Sequence, residues 1–422
     1  MKTQDLLTAI STKSILYLSV LLFPIAAISG LSISLFFTLL ALFAILQNYK
    51  QTNFLTVANN HTLWIFPLII AIFCYLAPQD VLPIKLGTRI VAMYFLGIML
   101  VSSLRNKSFN YHTLFLYISY SYMFAISMLF IAQIIDPQTL EIFGKKFYKE
   151  DFDANDFLTL KINRQLCVFS LLYILITRFL YIHQKKPLAA TTYLLTLITI
   201  FISNSETAKF VFIITNLMFL TIFFLKQKYR YIFITSYFLG NLIAIIIIPN
   251  INIQNIAETT NLQYSAVHRL CIWKYTIDQI KQNPFGYGFN SSTNFFYTNK
   301  RDKEICVQPN NKTNTVKQVI KYHISWHPHY NILQILLELG LAGLFLLGLL
   351  LIKTEKFLQR HCKNRVSIAI SYSTLFGYLA IGTTGYDIWQ SWYFSSLFLV
   401  AFYNLILIKN INQTAQRIKS KV

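Results

Sequence analysis

The sequence predicts an all-α polytopic integral membrane protein with about 12 transmembrane helices and one large extramembrane loop that carries short helices. Two properties of the chain predict this fold. Of its 422 residues, 55% are hydrophobic and 13% are charged, and its mean hydropathy is +0.49. Apolar runs of roughly 20 residues, the length that crosses a hydrocarbon layer of about 30 Å, recur along most of the chain. These properties exclude a soluble globular protein.

The predicted spans divide the chain into three parts. Residues 1–249 hold the first nine spans, residues 250–327 form the large loop, and residues 328–422 hold the last three spans and a basic tail. A smaller loop of mixed charge lies near residues 137–163. The individual spans are predicted at about 13–29, 30–49, 62–78, 87–104, 113–136, 164–183, 187–204, 207–225, 229–249, 328–352, 366–383 and 388–408.

The net charge of +21 could indicate a nucleic-acid-binding protein, but the positions of the basic residues indicate otherwise. If the amino terminus is cytoplasmic and the spans alternate, the short inside loops carry Lys and Arg, whereas outside turns such as GTTGYDIWQS carry almost none. This is the positive-inside bias of membrane proteins, and it predicts that both termini are cytoplasmic. We therefore expect a lipid bilayer as partner and no nucleic acid. Both long loops then face outward, which favours action on a molecule presented at the outer leaflet.

The stretch YSAVHRLCIWKYTIDQIKQNPFGYGFN in the large loop predicts a helix followed by a turn. Apolar residues recur there at helical spacing, and Trp273 on that stripe predicts a helix lying in the membrane interface. Pro284 ends the helix, because a proline disfavours helical geometry in the residue before it. Gly286 and Gly288 permit a tight turn or a close backbone approach. A phosphate-binding loop is an alternative, although two glycines support it only weakly.

The stretch SWHPHYNILQILLELGLAGLFLLGLL places ionisable residues at the start of a span. Ionisable groups at a membrane boundary cost free energy, so His329 is a candidate functional residue. Glu338 lies nine residues further on, about 13 Å of helical rise, and is expected to form a buried hydrogen bond to another span. His327 is expected to be a solvated loop residue. Gly340 and Gly343 have the spacing of glycines that let helices pack closely.

Cysteine positions leave one disulfide open. Cys271 and Cys306 both lie in the large outside loop, where an oxidising compartment permits a disulfide. Their spacing does not show whether their backbones come close enough. No Cys and His residues have the spacing of a zinc site, and the outside loops contain no acidic pair suited to Mg²⁺ or Mn²⁺.

These motifs resemble those of the O-antigen ligase and polymerase superfamily of polytopic bacterial membrane proteins. The resemblance covers roughly residues 265–350, on both sides of the end of the large loop. In the family pattern, a histidine, often with another two residues before it, is followed by Leu-Gln and then by Glu-x-Gly-x-x-Gly, and an R…W…P.GYGF run precedes it. The matching residues are His329, His327, Leu333, Gln334, Glu338, Gly340 and Gly343, and Arg269, Trp273, Pro284, Gly286 and Gly288.

The resemblance implies an activity and a location. It implies a fold like that of the C-type glycosyltransferases in the bacterial inner membrane, with the active site facing the periplasm. The enzyme would transfer a glycan from undecaprenyl pyrophosphate to a hydroxyl of a lipid A-core sugar or another glycan acceptor, with inversion. No metal or other cofactor is expected, because positioned cationic side chains can stabilise the charge of the leaving pyrophosphate.

The resemblance also assigns roles to residues of this chain. His329 is expected to act as the catalytic base, and Arg269 to bind the pyrophosphate. Family members often carry a further arginine in an outside turn upstream, where SNSETAK has Lys209, which lacks the bidentate fork of a guanidinium. Arg164 is another candidate for the second phosphate ligand. Structural roles are expected for Trp273, Pro284, Gly286, Gly288, Glu338, Gly340 and Gly343.

Other functions remain open at this stage. An O-antigen polymerase or a protein O-oligosaccharyltransferase would use the same donor headgroup, and the motifs do not distinguish them from a ligase. A transporter or flippase for an anionic lipid is the main alternative of a different class. Transporters usually bind their substrate near the midplane, whereas the candidate charges of this chain lie at the outer boundary.

Overall fold

The computed structural model describes residues 3–47, 63–77, 81–104, 111–135, 162–226, 232–260, 262, 264–298, 305–307, 320–321, 327–362 and 364–419. Within these ranges the chain is almost entirely helical, as the sequence predicts. The smaller outside loop predicted at 137–163 lies almost wholly outside the described residues.

The first nine helices belong to the part of the chain predicted to hold the first nine spans. They are α1 (Thr3–Ile28), α2 (Ser32–Gln47), α3 (Ile65–Leu76), α4 (Val81–Ser103), α5 (Tyr111–Ile134), α6 (Ile162–Ile182), α7 (Lys186–Ile202), α8 (Glu206–Phe224) and α9 (Ile232–Ile247), which a 3₁₀ turn, Ile248–Asn250, extends.

The remaining elements form the large loop and the last part of the bundle. They are α10 (Ile253–Thr259), α11 (Tyr264–Gln282), α12 (Ser291–Thr298), β1 (Ile305–Val307), β2 (Ile320–Lys321), α13 (Asn331–His361), α14 (Arg365–Thr384) and α15 (Ser391–Lys419). The two strands pair in antiparallel orientation. Helix α11 ends one residue before Asn283-Pro284, as predicted.

Helices of membrane-crossing length account for most of the predicted spans. In the described residues, eight helices are long and apolar enough to cross a membrane, and four further apolar helices are shorter. Each predicted span overlaps one of these helices. The structure therefore confirms an all-α polytopic architecture, while the number of membrane crossings stays a prediction.

Helix α6 lies inside the bundle and carries Arg164 at its start. Fifteen of its 21 residues are buried by neighbouring helices. Helices α5, α7, α8 and α14 are among its neighbours. Arg164 lies in the first turn of α6, beside Gly30 in the turn between α1 and α2.

A small second core lies in the large loop. It consists of apolar residues from α10, α11 and the β-hairpin, among them Ile253, Val267 and Val307. Cys271 on α11 and Cys306 on β1 form a disulfide within this core, with their Cα atoms 6.1 Å apart. The pairing that the sequence left open is therefore present, and it ties the hairpin to the helix that carries Arg269 and Trp273.

Removing this disulfide is expected to destabilise the large loop. A cross-link over 35 residues restricts the unfolded chain, and the expected loss on removal is about 3–4 kcal/mol. Cys271→Ser and Cys306→Ser should each lower the melting temperature of the detergent-solubilised protein, and the double variant should lose no more than either single one. Cys74→Ser is the control, because Cys74 is a free cysteine. Additive losses in the double variant would contradict a single shared bond.

Candidate active site

Trp273 holds the histidine loop that precedes α13. Its indole Nε1–H donates a 3.1 Å hydrogen bond to the carbonyl of Pro328, and its ring centroid lies 5.3 Å from that of Tyr330. From the other side, the Tyr330 hydroxyl donates to the side-chain oxygen of Asn241 on α9. The loop is thus fixed on both flanks by side chains of neighbouring helices.

His329 has a backbone conformation that few residues adopt. Its φ is +55°, in the left-handed region, which histidine enters more often than most non-glycine residues but still at a cost. The ring is half-buried, and its centroid lies 4.2 Å from that of His327. Such strain persists only where the surrounding structure imposes it, and it is common at functional sites.

One backbone carbonyl orients both histidines. The carbonyl oxygen of Gly385, in the turn between α14 and α15, accepts from His329 Nδ1 at 3.1 Å and from His327 Nε2 at 3.2 Å. A carbonyl can only accept, so the His329 proton sits on Nδ1. The Nε2 atom of neutral His329 therefore carries the lone pair and is the nitrogen that can accept a proton.

The charges of two arginines from distant helices act on the next residue of the same turn. Arg164 on α6 and Arg269 on α11 both oppose, through their charge, the larger effect of burial that raises the pKa of the Tyr386 hydroxyl. Arg269 also acts on His329. The ion pairs found in the described part of the chain are Lys209 with Glu206 and Lys281 with Asp278, so neither arginine has a carboxylate partner there.

The local electrostatics keep His329 neutral. Burial is the largest cause that lowers its pKa to about 3, and the positive charges of His327, Arg269 and His268 lower it further, against the hydrogen bond to Gly385. Burial also lowers the pKa of His327, although Asp387 acts in the opposite direction. Burial lowers the pKa of the Arg269 guanidinium as well. His329 is therefore unprotonated in the free site, and an anionic ligand that offsets the charge of Arg269 would raise its pKa towards the range of a general base.

Glu338 links the large loop to the turn between α14 and α15, which the predicted topology places outside and which is called the outer turn below. Its carboxylate is fully buried and accepts four hydrogen bonds, two on each oxygen. The backbone N–H of Asn290 (2.8 Å) and the indole of Trp389 (2.6 Å) donate to Oε2. The Ser292 hydroxyl (2.6 Å) and the Gln334 amide (3.1 Å) donate to Oε1. Glu338 therefore joins α12, α13 and the turn after α14.

Gln334 extends this network to the residues beside the histidine acceptor. Its amide nitrogen also donates to Asp387 Oδ1 at 2.7 Å, and its amide oxygen accepts from the Ile388 N–H at 3.2 Å. The same Asp387 oxygen accepts from the Trp389 N–H at 2.9 Å. These bonds fix the outer turn two residues after Gly385.

The glycines of the GYG stretch bring the loop against a break in α13. At Gly340, φ is +57° and ψ is −153°, so the helix is interrupted there. The N–H groups of Tyr287 and Gly288 donate to the carbonyls of Leu337 and Glu338, at 2.9 and 3.0 Å. A Cβ atom on Gly286 would lie 2.6 Å from the Gly340 nitrogen, and one on Gly340 would lie 2.3 Å from the Phe285 carbonyl carbon. Only glycines allow this approach.

This geometry rules out a phosphate-binding role for the GYG backbone as it stands. The N–H groups from Gly286 to Asn290 all donate within the protein, to carbonyls of Asn283, Leu337, Glu338 and Phe73 and to the Glu338 carboxylate. None of these five amides is left for a ligand. The sequence left open a phosphate-binding loop and a close backbone approach for these glycines, and the structure shows the close approach.

Comparisons with known proteins bear on the same region. Residues 191–348 match the family model described as O-antigen ligase. Residues 191–348, called the ligase domain below, resemble that family in sequence. The resemblance that the motifs predicted is thereby confirmed, and the ligase domain contains Arg269, His329 and Glu338.

Curated relatives of this ligase-domain protein occur in Rickettsia. Proteins named "Putative polysaccharide ligase" match it from Rickettsia conorii, at 34% identity over 228 residues, and from Rickettsia felis, at 32% over 228 residues. Each of these matches covers 53% of this chain. They cover 52% of the Rickettsia conorii protein and 53% of the Rickettsia felis protein. A third, from Rickettsia bellii, is 30% identical over 274 residues, 64% of each chain. The chain thus spans about half to two thirds of the curated relatives it matches.

Three of the four residues predicted to bind substrate or catalyse the reaction are linked to the turn between α14 and α15. Arg164, which lies before the matched ligase domain, and Arg269 act through their charge on Tyr386, and His329 bonds to Gly385. The Lys209 ammonium lies 2.9 Å from the Glu206 carboxylate on α8. The roles of all four residues stay predictions.

Two expectations for the ligase motifs need correction. His327 is not a solvated loop residue, because it is half-buried and bonded to the Gly385 carbonyl. Gly340 does not serve ordinary helix packing, since it forms the break where the loop crosses α13. The interfacial position of Trp273 stays a prediction, and the structure adds that its indole donates to the histidine loop. Glu338 does form the buried hydrogen bonds that its depth suggested.

The sequence patterns did not identify the outer turn as part of the site, since GTTGYDIWQS stands out there only for its lack of basic residues. In the structure Gly385, Asp387 and Trp389 bond to the motif residues His329, Gln334 and Glu338, and the charges of Arg164 and Arg269 act on Tyr386. An Asp, a Tyr and a Trp within five residues at the outer end of a span is a usable signal, because polar groups at such ends often mark sites. No three His, Cys, Asp or Glu side chains come together in the described residues as a metal site requires.

Replacing Glu338 is expected to destabilise the ligase domain. Glu338→Ala removes the acceptor for four buried donors, and each donor left without an acceptor costs roughly 1–3 kcal/mol. We expect a large fall in melting temperature, with a smaller fall for Glu338→Gln, which keeps one acceptor oxygen. Glu206→Gln is the control, because its side chain is 64% exposed and an exposed ion pair contributes about 0–1 kcal/mol. Equal melting temperatures for the Ala variant and the control would contradict the network.

Proposed function

We propose that this protein is an O-antigen ligase of the bacterial inner membrane, active at the periplasmic face. It transfers a glycan from undecaprenyl pyrophosphate to a hydroxyl of a lipid A-core sugar and inverts the anomeric centre. The observation that carries the proposal is the hydrogen bond of His329 to the turn between α14 and α15, a turn on which the charges of Arg269 and Arg164 also act. An acceptor base and two cations without a carboxylate partner in the described residues suit transfer from a pyrophosphate-linked donor.

The reaction follows from the roles of these groups. His329 Nε2 takes the proton of the acceptor hydroxyl as the oxygen attacks the anomeric carbon. The bond from that carbon to the pyrophosphate oxygen breaks, and its electron pair leaves with the pyrophosphate. Arg164 and Arg269 stabilise the negative charge that develops there. The Gly385 carbonyl holds Nδ1–H, so it stabilises the imidazolium that forms.

The same convergence supports an enzyme over a transporter. A transporter for anionic lipids would place its cations along a path near the midplane. Here Arg269 acts directly on His329, at the outer end of the span that α13 begins. A cation beside a candidate base is the arrangement expected for group transfer.

Complementation in cells tests the proposal. The full chain is expressed in a bacterium that lacks its own O-antigen ligase and, in parallel, in one that lacks its O-antigen polymerase, with an empty vector in each. Restoration of the lipopolysaccharide ladder in the first strain is the expected result. Longer glycan chains in the second strain alone would replace the ligase by a polymerase, and glycosylated protein without a ladder would indicate a protein O-oligosaccharyltransferase.

A further inference from the structure

His327 has no role in the reaction proposed above, yet it is bonded to the same atom as His329. Its Nε2–H donates to the Gly385 carbonyl at 3.2 Å, beside the 3.1 Å bond from His329 Nδ1. A carbonyl oxygen has two lone pairs, so the two donors match its acceptor capacity. The ring centroids lie 4.2 Å apart, with the ring planes at 53° to each other. His327 therefore bounds the His329 ring and shares its acceptor.

The orientation of the His329 ring decides which nitrogen can act as a base. Either nitrogen of a neutral imidazole can carry the proton. If the ring turned over, Nε2–H would bond to Gly385, and the lone pair would lie on Nδ1, in a different position relative to the acceptor. The His327 ring packs against one side of the His329 ring, and its own bond to Gly385 fixes the direction of the carbonyl. Both contacts oppose such a rotation.

Charge is a second link between the two histidines. After burial, the positive charge of His327 is the largest cause that lowers the pKa of His329. Charged groups also act on the pair from two neighbouring elements: His268 and Arg269 on α11 act on His329, and Asp387 in the outer turn acts on His327. Removing His327 removes one of the charges that oppose protonation of His329, so the pKa of His329 should rise.

We propose that His327 is a positioning residue, which holds His329 with its proton on Nδ1 and its Nε2 directed at the acceptor hydroxyl. The inference rests on the proposed function for the role of His329 as the base. His327 acts here through its ring, its N–H donor and its charge, and it takes no proton from the substrate. Its donor and its charge should have separable effects, because one side chain can keep the first without the second.

Two substitutions separate these effects. His327→Leu removes the donor and the charge, whereas His327→Gln keeps an amide N–H donor and removes only the charge. At neutral pH we expect His327→Leu to lower kcat by about 10–10²-fold, the cost of a misplaced catalytic group. His327→Gln should recover most of this loss. The KM for the donor should stay within about twofold in both, because the lost interaction orients the base and does not bind the donor.

The pH profile distinguishes positioning from a merely structural role. In both His327→Leu and His327→Gln the acid limb of kcat/KM should move to higher pH, because both lack the charge that lowers the pKa of His329. A merely structural role would lower the melting temperature and leave the acid limb in place. His361→Leu is the matched control, since His361 Nδ1 also bonds to a backbone carbonyl, that of Phe357 at 2.9 Å, but at the exposed far end of α13. It should behave as wild type.

Nitrogen-15 NMR of the histidine-labelled full chain in nanodiscs tests the inference without any activity. The signals of His329 are assigned by their absence in His329→Ala. We expect the proton on Nδ1 in the wild type and in His327→Gln, and a mixture of Nδ1–H and Nε2–H forms in His327→Leu. An unchanged Nδ1–H form in His327→Leu would overturn the inference, as would a kcat in His327→Gln as low as in His327→Leu.

Failure of the proposed function has a different signature. If the NMR signals of His329 follow this pattern while the complemented cells form no lipopolysaccharide ladder, the ligase proposal fails and the positioning of His329 by His327 stands. If the ladder forms but the acid limb of kcat/KM is the same in the wild type and both His327 variants, the ligase proposal stands and the positioning role is overturned.

Discussion

His329→Ala is expected to lower the rate of glycan transfer by about 10²–10⁴-fold, the range that positioned proton transfer contributes. The purified protein, a lipid-linked donor and a lipid A-core acceptor allow initial rates to be compared directly. In the proposed mechanism His329 Nε2 accepts the proton of the acceptor hydroxyl, because Nδ1 is bonded to Gly385. His361→Ala is the control, since His361 is exposed at the far end of α13. A loss below tenfold for His329→Ala would exclude the role of general base.

The same histidine predicts the pH dependence of the wild type. A group must be unprotonated to act as a base, and the pKa of His329 is lowered to about 3 by burial and by His327, Arg269 and His268. As pH falls, kcat/KM should therefore stay constant until the pH is well below 6.5, the ordinary pKa of histidine. Bound pyrophosphate offsets the charge of Arg269, so the acid limb of kcat should lie at higher pH than that of kcat/KM. An acid limb of kcat/KM at or above the ordinary histidine value would contradict this environment.

Arg269→Ala is expected to lower kcat/KM by about 10²–10³-fold, as loss of a group that stabilises charge in the transition state does. Arg269 is half-buried, and burial strengthens its electrostatic effect on a neighbouring anion. Arg269→Lys should recover part of the loss, because an ammonium keeps the charge but not the bidentate fork. Steady-state kinetics with varied donor, and inhibition by inorganic pyrophosphate, measure both effects.

Lys281→Ala provides the matched control for Arg269. Lys281 lies on the same helix, and its side chain is 61% exposed in an ion pair with Asp278. Lys281→Ala lowers the net charge by as much as Arg269→Ala does. It should leave kcat/KM within about twofold of the wild-type value, because exposed ion pairs contribute little. If Lys281→Ala and Arg269→Ala caused equal losses, the effect would reflect the overall charge of the loop and not a site.

The helices and their ends followed from local sequence. Each predicted span overlaps an apolar helix, because backbone groups in a membrane must bond within their own segment and long apolar runs have few other conformations. The end of α11 before Pro284 followed from a local steric rule. The motif residues Arg269 and His329 were found by resemblance, and the spacing of Arg269 and Trp273, one helical turn apart, explains why both face the histidine loop.

The convergence at the outer turn did not follow from local sequence. Arg164 and Tyr386 are more than 200 positions apart, and only the packing of α6 and α14 brings them together. The break at Gly340 likewise depends on a partner, since Gly340 is helical by pattern and is opened by the loop at Phe285 and Gly286. His327 was misjudged because its acceptor is a backbone atom, which no side-chain pattern reveals.

The use of a backbone carbonyl to orient the proposed catalytic histidine has a consequence for genetics. Every amino acid supplies a carbonyl, so no substitution at Gly385 deletes the acceptor. A Cβ atom there would come no closer than 3.5 Å to another side chain, at Thr207. Alanine scanning at position 385 would therefore leave the acceptor itself in place. Substitutions at the neighbouring anchors Gln334 and Asp387, which hold the turn, are the ones expected to expose the dependence.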